Sequence, residues 1–151
     1  MRRGKIKLLC ILSFIWLSAF SQPEKKLFTK IPADSSGIYF NNIVEDNPTL
    51  NVISYEYYYN GGGIAVGDVN NDGLQDLYMT SNVYENKLYI NQGNLKFKDI
   101  TKEAGVNGGS GYHTGAVMVD VNQDGWLDIY VCKSVSSDVS ERQNVLYINN
   151  K

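Results

Sequence analysis

One pattern constrains the fold of this chain more than any other: a nine-residue acidic loop that occurs twice. Asp68, Asn70, Asp72, Gly73 and Asp76 read D-x-N-x-D-G-x-x-D, and Asp120, Asn122, Asp124, Gly125 and Asp128 repeat it 52 residues later. The flanks repeat as well. Residues 67–78 align with 119–130, and Leu-Tyr-Ile-Asn stands at 88–91 and again at 146–149. That second match is offset by 58, so the second unit carries six extra residues, and the polar stretch 134–143 takes them as a longer surface loop. A repeated unit of about fifty residues marks a propeller or a solenoid.

Within each unit the local pattern predicts short strands. Residues 64–66 and 116–119 are apolar runs leading into the loops, and 77–79 and 129–131 leave them. They are β-branched, aromatic or small, they are bounded by Gly, Asn and Asp, and they are too short for helices. Residues 87–90 and 145–148 predict a third strand. In the first unit 91–94 turns the chain into a fourth, over 95–100, and 101–105 predicts one helical turn closed by Gly105. Four short strands per unit is what a propeller blade requires. Eleven Tyr and fourteen Gly agree with a β-rich chain of many tight turns.

The loops carry the chemistry. Calcium takes six to eight oxygens at roughly 2.3–2.6 Å, and alternate positions of a tightly wound loop aim side-chain oxygens at one centre. Asp68, Asn70, Asp72 and Asp76 supply side chains, and Leu74, at position 7, a backbone carbonyl. In the second loop the set is Asp120, Asn122, Asp124 and Asp128, with the carbonyl of Trp126. Magnesium fits less well, because it prefers near-octahedral sites that keep several waters. An EF-hand is excluded: position 12 is Met79 or Val131 rather than Glu, and the flanks read as strands. Asp, Asn and Gly also build plain hairpin turns. Two matches in register, each with three carboxylates that repel one another without a cation, favour two calcium sites.

The loops, the apolar strand before each and the Leu-Tyr-Ile-Asn strand resemble FG-GAP/VCBS repeats, the blades of integrin-alpha-type β-propellers. The stretch 27–150 is similar to the N-terminal part of long exported bacterial proteins of the ASPIC/UnbV type, whose C-terminal domain has no counterpart here. The resemblance implies an all-β fold: two four-stranded blade units of a seven-bladed ring, truncated, with Asp and Asn loop positions binding the ion. It also implies adhesion or ligand binding without catalysis. The division it suggests is 1–21 signal peptide, 22–60 N-terminal segment, 61–106 first blade and 107–151 second, incomplete blade. Residues 27–31 mimic 95–100, with Phe and Ile three apart in both, and read as a ring-closing outer strand. Two units are fewer than the three or so that repeats usually need, so the chain reads as a fragment that self-associates through exposed sheet edges.

Residues 1–7 are basic, 8–17 are apolar and 18–21 are small enough to be cut before Gln22, the three-part pattern of a signal peptide. The apolar run is too short for a stable membrane span. An extracellular, periplasmic or cell-surface location follows, and the mature chain keeps a single cysteine, Cys132, with no disulfide to staple it. From residue 22 onward there are ten basic and sixteen acidic residues, which argues against nucleic acid as a partner. A protein or glycan ligand remains. Tyr55, Tyr57, Tyr58 and Tyr59 read either as a sugar platform or as a strand with alternate rings in the core. His113 sits in a Gly-rich connector with no catalytic partner, and Cys132 reads as a buried small hydrophobe. No nucleophile elbow or spaced His/Cys set is present, so the chain reads as non-catalytic. The open alternatives are a carbohydrate-recognition propeller and an accessory domain of an enzyme whose catalytic part lies elsewhere.

Overall fold

A computed structural model describes residues 25–109, 111–134 and 138–151. The expected signal peptide lies outside the described residues. The chain divides into two units, Met1–Lys30 and Ile31–Lys151. Residues 25–30, the described part of the first, are exposed and carry no regular structure. The expected strand over 27–31 is therefore not formed: a strand needs a hydrogen-bonded neighbour, and no strand among the described residues pairs with it.

In the second unit the elements run α1 (Ala33–Ser36), β1 (Ile64–Gly67), β2 (Asp76–Met79), β3 (Lys87–Asn91), β4 (Phe97–Asp99), α2 (Thr101–Ala104), β5 (Tyr112–Val119), β6 (Asp128–Ser134), a 3-10 turn (Val139–Arg142) and β7 (Val145–Tyr147). Strands β1 to β4 form one antiparallel meander, and β5 to β7 form a second, three-stranded one. This is the all-β architecture of propeller blades, and the second blade has three strands. Each predicted strand from 64 onward exists. Strand β4 is shorter than expected, because Asn94 and Leu95 adopt φ of 51° and 59° and belong to the turn. The helical turn α2 closes as predicted on Gly105 at φ 68°.

The alternation of side chains along each strand sorts the residues onto two faces of a blade. In the first blade Ala65, Tyr78 and Leu88 stand directly across from one another and are buried. Against them pack Ala116, Met118, Ile129, Val131, Val145 and Tyr147 from the second blade. The inner strands β1 and β5 approach closely, and Gly67 is what permits it. A Cβ there would lie 2.7 Å from Leu127 Cδ1 and 3.0 Å from Met118 Sδ. Each fully buried aliphatic side chain at this junction stabilises it by about 1.5–3 kcal/mol.

The segment before the first blade is fastened by polar bonds rather than by a strand. Residues 51–59 are turns, so the tyrosine run is not the expected strand. Tyr58 is buried and donates its hydroxyl to the Glu45 carbonyl at 2.5 Å. Tyr112 in β5 donates its own hydroxyl to the Tyr58 carbonyl. Asn42 accepts from the Asn82 N–H at 3.0 Å and from the Ser81 hydroxyl at 3.1 Å. His113 corrects a further expectation. It lies in β5, fully buried, with Nδ1 3.0 Å from the Ser81 carbonyl and Nε2 3.1 Å from the Gly108 carbonyl. Burial lowers its pKa below the ordinary value, the two carbonyls oppose that, and the Lys133 charge adds to it. Cys132 is half-buried rather than buried.

Candidate metal loops

Each acidic loop joins the first two strands of its blade, so its position is set by the sheet beneath it. In the first loop the Asp72 N–H is shared between Asp68 Oδ1 at 3.1 Å and Asn70 Oδ1 at 3.2 Å. The Gly73 N–H donates to Asp68 Oδ2 at 2.7 Å, and the Leu74 N–H to Asp72 Oδ1 at 2.8 Å. The second loop repeats this wiring bond for bond. The Asp124 N–H reaches Asp120 Oδ1 and Asn122 Oδ1, both at 3.1 Å. The Gly125 N–H reaches Asp120 Oδ2 at 2.9 Å, and the Trp126 N–H reaches Asp124 Oδ1 at 3.0 Å. The backbone agrees: Asn71 and Gln123 have φ of 56° and 62°, and Gly73 and Gly125 have 86° and 85°. Gly is the residue that enters this left-handed region without strain, which is why the motif needs it there.

Positions 1, 3 and 5 are thus brought together at an exposed tip. Position 9 is not. Asp76 and Asp128 are fully buried at the base of their loops. Asp76 accepts from the Val69 N–H at 2.9 Å and the Asn91 N–H at 2.8 Å. Asp128 accepts from the Val121 N–H at 3.0 Å and the Asn149 N–H at 2.8 Å. Asp76 ties its loop to the last residue of β3 and Asp128 ties its own to Asn149, just past β7, which explains why the Asn ending Leu-Tyr-Ile-Asn recurs. Among the described residues no three acidic, His or Cys side chains converge on one point. Each tip holds two carboxylates and one amide, joined through the shared N–H groups of Asp72 and Asp124.

Among the described residues the ion pairs lie outside the loops. Burial raises the Asp76 carboxyl above its ordinary value, the N–H groups of Asn91 and Val69 oppose the rise, and the charges of Asp72 and Asp68 add to it. The basic side chain of Lys87 pairs elsewhere, with Glu85 at 3.6 Å and Asp99 at 3.4 Å. The loops also touch each other. Asn71 Nδ2 donates to the Gly125 carbonyl at 3.1 Å, and Asn149 Nδ2 to the Val69 carbonyl at 2.8 Å. Beside them lies a groove of about 590 Å³ between the two blades, lined by Val69, Leu88, Ile90, Trp126, Leu127 and Tyr147 among others.

A doubled loop on an antiparallel meander is a recognisable unit. Residues 68–131 match the FG-GAP-like repeat. Both loops fall inside the matched FG-GAP-like segment, together with β2 to β5 and the start of β6. The chain is also similar to cartilage acidic protein 1 of Xenopus tropicalis, at 35% identity over 72 residues. That similarity covers 48% of this chain and 11% of the relative, so the chain spans a small part of that protein's length. No solved structure matches.

Sequence reasoning missed the polar node around Asn42, Ser81, Asn82 and His113. Its bonds join residues 31 to 40 positions apart, beyond the reach of any local pattern. It also missed the second role of Asp76 and Asp128. The signal for that was present in the repeated Asn at 91 and 149.

Proposed function

We propose that the chain is an exported, calcium-stabilised propeller module that binds a ligand through its surface and is not itself a catalyst. The observation that carries this reading is that four main-chain to side-chain bonds recur in both acidic loops and gather Asp, Asn and Asp oxygens at each tip. Asp68, Asn70, Asp72, Asp76 and the Leu74 carbonyl would hold one calcium ion. Asp120, Asn122, Asp124, Asp128 and the Trp126 carbonyl would hold the other. Oxygen-only donors of this kind suit a hard cation. The ion supplies charge neutralisation and rigidity, and the chain's own residues do the rest: Asp76 and Asp128 fix each loop to its sheet. The expected signal peptide supports export, and among the described residues no helix is long and apolar enough to cross a membrane.

Calcium modules outside the cell have dissociation constants of about 10⁻⁴–10⁻³ M. At ten times that constant each site stabilises the fold by about 1.4 kcal/mol. Thermal unfolding with calcium, and with magnesium as control, tests this. The Asp72→Ala/Asp124→Ala double variant is expected to lose the calcium increment. Asn47→Ala, which removes the acceptor of the Thr49 and Leu50 N–H groups, lowers the baseline and keeps the increment. A double variant that still responds to calcium overturns the reading. Trp126 emission, read against Trp126→Phe, reports the second loop separately.

A glycan is the second ligand reading, on one observation: Tyr57 and Tyr59 each leave more than half of the side chain exposed, and the Tyr59 hydroxyl bonds Asp46 at 2.6 Å. Aromatic faces beside an acidic group suit sugar rings. Glycan binding lost in Tyr57→Ala/Tyr59→Ala would favour it over a protein ligand.

A further inference from the structure

Four places in the sequence set an Asn or Asp directly before Gly: Asn60–Gly61, Asp72–Gly73, Asn107–Gly108 and Asp124–Gly125. Such pairs are open to attack by the main chain on the side chain, because glycine has no Cβ to keep its nitrogen from the side-chain carbonyl carbon. The structure closes three of the four in one way. In each, the side-chain oxygen accepts from the N–H two residues on, and the glycine N–H is engaged elsewhere. Asn107 Oδ1 takes the Gly109 N–H at 3.2 Å, while the Gly108 N–H donates to the Tyr147 hydroxyl at 3.1 Å. Asp72 and Asp124 take the N–H groups of Leu74 and Trp126, and Gly73 and Gly125 donate to Asp68 and Asp120. The carbon that would be attacked and the nitrogen that would attack it are both held.

Asn60–Gly61 lacks this wiring. Among the described residues no hydrogen bond engages the Asn60 carboxamide or the Gly61 N–H. Both residues are exposed, and a Cβ on Gly61 would meet nothing within 4 Å. The pair hangs between two fixed points. Before it, the Tyr58 carbonyl accepts from the Tyr112 hydroxyl. After it, the Gly63 N–H donates to Thr80 Oγ1 at 2.6 Å, and Gly62 lies so close to the Thr80 carbonyl that a Cβ would come within 1.9 Å of it.

We infer that Asn60 is a site of spontaneous covalent modification, deamidation through a cyclic imide, and that Asn107 is shielded from the same reaction by its bonds. The Gly61 nitrogen bonds to Asn60 Cγ and gives up its proton. The bond from Cγ to the side-chain nitrogen breaks, and that nitrogen leaves with the proton as ammonia. Water then opens the ring. Cleavage at Cγ leaves aspartate, and cleavage at the Asn60 main-chain carbonyl leaves isoaspartate, in which the chain runs through Cγ. The only co-reactant is water. Either product puts a carboxylate at residue 60. Isoaspartate also adds a methylene to the main chain between the two fixed points. It releases as a carboxylate the carbonyl that now accepts from the Tyr112 hydroxyl at 3.3 Å. The change falls on the joint that fastens the N-terminal segment to β1, away from the acidic loops and independent of the metal reading.

Ageing the full chain at neutral to mildly alkaline pH, followed by peptide mass mapping, tests this. Deamidation reads as the exchange of an amide for an acid, and isoaspartate is detected by enzymatic methylation of its free carboxyl. Asn107 is the matched control, because it is the other Asn before Gly. In the native chain the Asn60 peptide is expected to convert at least about tenfold faster than the Asn107 peptide, which reacts only when its bonds open. In denaturant the two should convert at similar rates. Gly61→Ala, whose added Cβ meets no neighbour, should keep the fold and lose most of the conversion at residue 60. An Asn60 that stays an amide in the native chain overturns the inference. Equal rates at the two sites in the native chain overturn it as well, and so does a difference that persists in denaturant. Undiminished conversion in Gly61→Ala overturns the cyclic route.

Discussion

Leu88 and Leu146 hold the same place in the repeat, yet the first is 3% exposed and the second 46%. Asp76 and Asp128 also hold one place, and both are fully buried with two N–H donors each. The contrast separates two kinds of information in the chain. The loop and its base are built from residues within one blade, so both copies fold them alike. The covering of a face depends on the neighbouring blade, and among the described residues only the first copy is covered by one.

The base of the loop gives the largest test of that separation. Asp76→Ala strips the acceptor from the Val69 and Asn91 N–H groups and is expected to cost about 3–5 kcal/mol. Asp128→Ala should cost less, because the Val121 N–H it abandons lies next to an exposed side chain and can reach water. Chemical denaturation of the two variants measures the difference, and equal losses would mean that the covering blade contributes nothing at the base. Next in size, Leu88→Ala should cost about 2–4 kcal/mol through a cavity at the junction, while Leu146→Ala in the monomer should cost under about 1 kcal/mol. Equal costs would show that Leu146 is covered in solution.

His113 sharpens the comparison from the side of pH. A neutral imidazole donates to only one of the two carbonyls that face it, and burial holds its pKa below 6.5. The unfolded chain then binds a proton that the folded chain refuses. Stability is fully present above the unfolded value and is lost as pH falls below about 6.5 towards the folded value, with a slope of at most about 1.4 kcal/mol per pH unit. Denaturation of wild type and His113→Asn across that range measures it, and identical slopes remove His113 as the cause. The smallest expected effect lies at the loop tips. Gln123→Gly relieves a left-handed residue and should stabilise by about 0.5–1 kcal/mol. Asn71→Gly should bring no gain, because Asn tolerates that region and its side chain also holds the Gly125 carbonyl. Thermal unfolding separates the two.

The strands and loops were legible because their causes are local. A run such as Ile64-Ala65-Val66 before Gly and Asp has few alternatives to a strand, and D-x-N-x-D-G fixes its own turn. Residues 27–31 look like the same kind of strand, but a strand is completed by a partner, and the sequence cannot supply one by resemblance. Tyr55 to Tyr59 has strong β-propensity and forms turns instead, tied by Asn51 side-chain bonds to Ile53 and Ser54. His113 sits among glycines in sequence and at the centre of a buried node in space. Of the loops, the pattern indicated the tight turn that links positions 1, 3 and 5. It did not reveal that position 9 faces the sheet, since that rests on Asn91 and Asn149 one strand away.

Asn149 has a mechanical meaning as well. Its N–H holds Asp128, and its side-chain amide holds the carbonyls of Leu127 and Val69. A pull on the chain beyond β7 therefore does not peel that strand away one bond at a time. It loads three bonds together, and through them the roots of both loops. Force applied there is shared between the blades before either begins to open, and Asn149 is the residue that passes it on.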